Sequence, residues 1–215
     1  MDRQAEILDA AVALADERGL DAVSMRSVAE LVGVTPMALY PHVGSKAALL
    51  DGMVGRLLGQ VIPEPGQIAP DPPAASWPER LGTIARGARQ MAVQHPWAAG
   101  LLFSRPAVAT GSMRAVDLIF AALLDAGIPP VEVPRLERMV SSFILGHAAS
   151  EAGGRFGPQT QDLRDERYRQ PGQELPAHAR LARVLETPVD WDAEFEANLD
   201  DLALMIEGVA ARARP

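Results

Sequence analysis

Metal chemistry in this chain would have to come from four histidines and 28 carboxylates, because there is no cysteine. That absence removes disulfides, thiolate metal sites and thiol nucleophiles together. His95, His147 and His178 lie far apart and show no H-x-x-x-H spacing, so no metal site is assigned. No G-x-S-x-G, phosphate-loop or G-x-G-x-x-G stretch occurs, and no pair of carboxylates stands out from ordinary helix faces. The charged run from Asp162 to Arg169 reads as a solvated loop. We assign no catalytic residue and no cofactor. What remains is the chemistry of charge. The stretch VGVTPMALYPHVGSKAALL, residues 32–50, holds the only lysine, Lys46, and places Pro41 where a helix would otherwise continue. The formal net charge of the chain is −8. Phosphate contact depends on local charge, however, and residues 24–56 set Arg26, Lys46 and Arg56 against Glu30 and Asp51. Any contact with nucleic acid must therefore be small and well placed.

The elements that would position these side chains are helical. Sustained alternation of period two is absent, while apolar residues recur at helical spacing throughout the 215 residues. Ile7, Leu8, Ala11, Leu14 and Ala15 form one stripe that ends at Gly19. Ser24 is placed to cap a second helix carrying Met25, Val28, Ala29 and Leu31 and stopping at Gly33. Thr35-Pro36 reads as a third start, a capping hydroxyl followed by proline at the first helical position. Ser45 caps a fourth helix with Leu49, Leu50, Met53, Val54, Leu57 and Leu58 inside. Five prolines in residues 63–76 then read as a linker or mobile loop. Further helices are predicted over 77–94, 97–103, 112–126, 133–152 and 192–212, with a short one over 177–185 and a flexible polar excursion over 153–176. Hydrophobic residues make up 48% of the chain, enough for a core, and no apolar run approaches the roughly 20 residues of a membrane span. The acidic N-terminus MDRQAEILDA argues against an export signal, so the expected setting is cytoplasmic.

Three short helices in about 45 residues, with a tight glycine turn between the second and third, meet the requirements of a helix-turn-helix. Ala29 is small where the two helices cross, Gly33 allows the turn, and Val34 and Leu39 point inward. Thr35, Pro36, Met37, Ala38 and Tyr40 are then left exposed on a helix thin enough for the major groove. Over residues 7–54 the sequence resembles the DNA-binding domain of TetR-type transcriptional regulators. The resemblance rests on the glycine ending the first helix, the Ser-Met-Arg-Ser-Val-Ala run, Gly33-Val34, and Leu39-Tyr40-x-His42-Val43 followed by Lys46-x-x-Leu49-Leu50.

That resemblance implies an all-α protein with a helix-turn-helix domain over residues 1–60 and a larger helical ligand-binding and dimerisation domain over 61–215. By position it implies a base or phosphate contact at Arg26, groove-facing roles for Thr35, Pro36, Met37 and Ala38, and phosphate contacts at Tyr40, His42 and Lys46. Each has an ordinary structural reading beside it: Tyr40 and Met37 as core, His42 and Lys46 as solvated surface. Pro41 departs from the family, which has an aromatic residue there. Proline lacks the amide donor and disfavours helical geometry at Tyr40, so the recognition helix is expected to end near Tyr40 with His42 and Val43 in a turn. Met91, Trp97, Leu101, Phe103, Phe120, Met139, Phe143 and His147 are candidates to line an apolar cavity, each being equally readable as ordinary core. The implied partners are a palindromic double-stranded DNA operator, a small apolar or amphipathic effector and a second copy of the chain, with no membrane. The copies would pair through the last helices, where Gly146, Ala148, Ala149, Ala203 and Gly208 allow close approach. The competing readings are a helix-turn-helix regulator governed by a protein partner or by nothing, and a small helical enzyme.

Overall fold

A computed structural model describes residues 2–61, 75–105, 107–156 and 175–213. Among these residues every regular element is a helix. The first, α1 (Arg3–Arg18), is capped by Asp2, whose side chain accepts from the Gln4 amide, and it buries the stripe Ile7, Leu8, Ala11, Leu14 and Ala15. Gly19, at φ +81°, turns the chain out of it. Helix α2 (Met25–Val32) starts in a reciprocal cap. Ser24 Oγ accepts from the Ser27 amide at 3.1 Å, and Ser27 Oγ accepts from the Ser24 amide at 2.9 Å. Its inner face is narrower than its sequence suggests, because Val28 and Ala29 are buried whereas Leu31 faces solvent. Gly33 ends it in the left-handed conformation.

The next helix corrects two expectations. Thr35 makes no side-chain cap; its carbonyl closes the first turn by accepting from the Ala38 amide at 3.0 Å. A 3-10 turn over Pro36–Leu39 runs directly into α3 (Tyr40–Val43), so the helix does not end at Tyr40, and His42 and Val43 lie within it. The physical reason is the tighter first turn. It places Pro41 in the opening turn of the α segment, where a missing amide donor is tolerated. Gly44, at φ +69°, closes α3 by donating to the Tyr40 carbonyl at 2.8 Å.

Helix α4 (Lys46–Val61) belongs to two cores. Leu49 and Met53 complete the core of the first three helices, together with Ile7, Val23, Val28, Leu39 and Val43. Val54, Leu57 and Leu58 join a second cluster with Met91, Ala98, Leu101, Leu102 and Ala115. The helices that follow are α5 (Trp77–Gln94), α6 (Pro96–Ser104), α7 (Thr110–Asp125), α8 (Val133–Ala152), α9 (Pro176–Leu185) and α10 (Trp191–Ala213). They match the predicted spans to within about two residues. The largest core packs α5, α7, α8 and α10 around Phe195, Leu123, Leu136 and Ile206. Helix α9 buries nothing. Of the two expected loops, 63–76 and 153–176, residues 63–74 and 157–174 lie outside the described residues.

Candidate functional site

Leu39 and Val43 are buried on the inner side of the third helix, which forces the intervening residues outward. Thr35, Pro36, Met37, Ala38, Tyr40 and His42 are exposed, Met37 to 74%. Arg26, in the first turn of α2, is exposed on the same unit. Lys46 opens α4 directly after the Gly44 turn, and the Ser45 hydroxyl caps that helix by accepting from the Ala48 amide at 3.1 Å. A helix start of this kind presents amide donors and positive potential to a phosphate. The predicted contact residues therefore all lie exposed on one small unit. Among the described residues no carboxylate pairs with Arg26 or Lys46, although carboxylates hold Arg3, Arg56, Arg80, Arg86, Arg89, Arg105 and Arg135.

Two polar contacts, at Asp16 and Arg105, fasten this unit to the larger helical region, and a third, Arg56 to Asp9, ties α4 to α1 within the unit. Asp16 of α1 accepts from Trp97 Nε1 at 2.7 Å and pairs with His95 Nδ1 at 2.7 Å. Arg56 pairs with Asp9 through two hydrogen bonds of 2.7 and 2.9 Å. Arg105, just past α6, pairs with Asp51 of α4 and donates to the Ala47 carbonyl at 2.9 Å. The Asp51 hydrogen bond raises the Arg105 pKa, outweighing desolvation. Backbone contact adds to these. A Cβ on Gly55 would meet the Ala109 Cβ at 2.4 Å, and one on Gly111 would meet the Gly55 carbonyl oxygen at 2.0 Å. Only glycine allows α4 and the start of α7 to pack this closely.

A cavity of about 140 Å³ lies between α4, α5, α7 and α8, roofed by the end of α6. Val54, Leu58, Ile84, Ala88, Leu102, Ile119 and Ile144 give it apolar walls, and Arg105, Ser112, Glu137 and Ser141 are its polar groups. None of the eight residues proposed from sequence is on this lining. Met91 and Leu101 are core under α4, and Trp97 is half-buried with its ring N–H on Asp16. Phe103 is 62% exposed. Phe120, Met139 and Phe143 pack half-buried against the largest core. His147 sits in an aromatic group, with ring centroids 4.8 Å from Phe195 and 5.0 Å from Phe156. Burial holds its pKa below the ordinary histidine value, Arg89 adds to that, and Glu151 partly opposes it. The polar lining was missed, though one sign was legible. Glu137 interrupts the apolar stripe Val133, Leu136, Val140 and Ile144 on the buried face of α8.

Comparison with known proteins follows the same lines. Residues 7–53 match the model for bacterial regulatory proteins of the tetR family, and residues 69–213 match the tetracyclin repressor-like C-terminal domain. An HTH-type transcriptional regulator of Saccharopolyspora erythraea is 28% identical over 98% of this chain and 85% of its own. The HTH-type transcriptional repressor DrrR1 of Streptomyces coeruleorubidus is 29% identical over 67% of this chain and 52% of its own. Apo ActR of Streptomyces coelicolor superposes with a TM-score of 0.80 at 22% identity, covering 98% of this chain and 97% of that one. ActR in complex with (S)-DNPA superposes with a TM-score of 0.77 at 25% identity, covering 96% and 98%. With an exposed recognition helix at one end, a helical body behind it and family matches across both, the chain belongs to the TetR family and is a DNA-binding transcriptional regulator.

Proposed function

We propose that the protein is a repressor that leaves a palindromic operator when a small apolar or amphipathic molecule occupies the cavity beside α4. Residues 1–60 serve as the reading unit and 61–215 as the effector and pairing unit. Arg26 and Thr35 read bases, Met37 and Ala38 offer apolar contact to thymine methyl groups, Pro36 shapes the helix start, and Tyr40, His42 and Lys46 hold phosphates. One observation carries the effector half of this reading. Arg105 lines the cavity and reaches Ala47, the residue after Lys46, and Asp51 further along α4, so the cavity and the phosphate contact share one helix. The ligand-bound ActR structure supports a small-molecule effector. A ligand that prefers the geometry in which Arg105 lets go of α4 shifts the population towards release, in proportion to its differential affinity.

Two copies pair through the outer faces of α8 and α10. Leu204 is 64% exposed there, and Gly146 and Gly208 have open space beside them. Ala148 is not available to that interface, since it is buried against Ala92 and Ala99 of the same chain. The test starts with duplex selected from a random pool, followed by anisotropy titration of the selected site with a compound library. Release by a compound that also protects the cavity in hydrogen exchange supports the proposal. An Asp51→Asn variant should bind the compound yet respond less. Selection of no duplex, or a monomer in light scattering, would refute it.

A further inference from the structure

Glu137 is 91% shielded from solvent, and its carboxylate opens into the cavity. Its one hydrogen bond among the described residues comes from the Ser141 hydroxyl, which donates to Oε1 at 2.7 Å. Glu137 has no cationic partner there. The cavity's other charged group, Arg105, is neutralised by Asp51. Glu137 is therefore the charged group on the cavity lining that has no ion-pair partner among the described residues, against walls that are largely aliphatic. Burying a carboxylate without a counter-charge is costly unless something supplies one.

We infer that Glu137 selects the occupant of this cavity, which is a compact apolar compound carrying a protonated amine that docks on the carboxylate oxygen Ser141 leaves unbonded. This inference rests on the effector cavity proposed above and adds the chemical class of its ligand. Size and charge set that class together. A dry cavity of roughly 150 Å³ holds about one benzene ring, so the volume of about 140 Å³ suits a single ring or a short branched chain. An anionic compound of the same size would meet Glu137 without compensation, because Arg105 is already engaged by Asp51 and the Ala47 carbonyl. Ser112, buried on the α7 wall, is left as a secondary polar contact.

The experiment titrates the full-length protein with benzylamine, benzyl alcohol and benzoate, which share a ring and differ in charge. Calorimetry gives affinity, and NMR of the Ile84 and Ile144 methyl groups reports occupancy of the cavity. Benzylamine should bind at least about tenfold more tightly than benzyl alcohol, as expected for a hydrogen bond to a charged group. Benzoate should bind least. Glu137→Gln should erase the gap between amine and alcohol, while Ser141→Ala, which leaves the carboxylate in place, should keep it. Glu137→Gln should also melt no lower than the native protein, since it removes a buried charge; a marked loss would make the carboxylate structural and overturn the inference. Equal affinity for amine and alcohol, or a gap that survives Glu137→Gln, would overturn it while leaving the effector cavity in place. If none of the three probes moves the isoleucine methyl signals, the cavity proposal falls and this inference with it.

Discussion

Replacing Lys46 with alanine isolates what one well-placed cation does for an acidic DNA-binding protein. Lys46 is exposed, opens α4 beside the capped turn and has no carboxylate partner among the described residues, so its loss should leave the fold intact. Each phosphate neutralised on duplex DNA contributes about 0.9 to the slope of log affinity against log salt. A dimer with two reading heads would lose two such contacts, so the slope should fall by about 1.8. Raising salt from about 50 to 200 mM changes log[salt] by about 0.6, so native affinity should drop about tenfold more than that of the variant. The assay is fluorescence anisotropy on a selected duplex at four salt concentrations, repeated on a scrambled duplex. The loss should be similar on both, because phosphate contacts carry no sequence information. Arg56→Ala is the matched control. That guanidinium lies in the same helix but is held by Asp9, so its removal should leave the slope unchanged. Equal slopes for native protein and Lys46→Ala would mean that α4 does not face the DNA backbone.

Other outcomes test the structure elsewhere. Gly55→Val should destabilise the protein by about 1–3 kcal/mol in chemical denaturation, since even a Cβ there meets Ala109 at 2.4 Å; an unchanged midpoint would mean that α4 and α7 do not pack as described. Pro41→Tyr should shift stability by less than about 1 kcal/mol, because the proline occupies the first turn of its α segment; a gain near 3 kcal/mol would place it in a helix interior instead. His147 has a depressed pKa in the folded state, so the unfolded chain binds its proton more readily and stability should decline as pH falls below about 6.5. His147→Phe should flatten that part of the stability profile between about pH 7 and 5, and an identical profile would mean that another group carries it. Arg26→Ala or Thr35→Ala should change base preference at one position per half-site by about 1–3 kcal/mol, measured by binding to single-substitution duplexes.

The helices and the exposed face of the third helix were legible in the amino-acid sequence because their determinants are local. The stripe from Ile7 to Ala15, the Ser24 cap and the Gly33 turn each act over a few residues, where period and turn chemistry speak directly. Exposure of Met37 and Tyr40 followed from the same arithmetic, with Leu39 and Val43 taking the inner side. The path of the chain at Pro41 was not legible. Whether proline ends a helix depends on which hydrogen-bond pattern precedes it, and the 3-10 turn over Pro36–Leu39 was chosen by how that segment packs on α1 and α2. The cavity lay further still beyond sequence reasoning. Aromatic and methionine side chains are conspicuous in a sequence, yet Met91 and Phe143 pack into cores, because periodicity marks an inward face without telling whether that face meets a neighbour or a void. Glu137, Ser141 and Arg105 come from α8 and the end of α6, and only the crossing of those helices with α4 and α7 gives them a common enclosure. Helix periodicity tells which face of each helix turns inward; where inward faces fail to fill the space between them is decided by the tertiary packing alone.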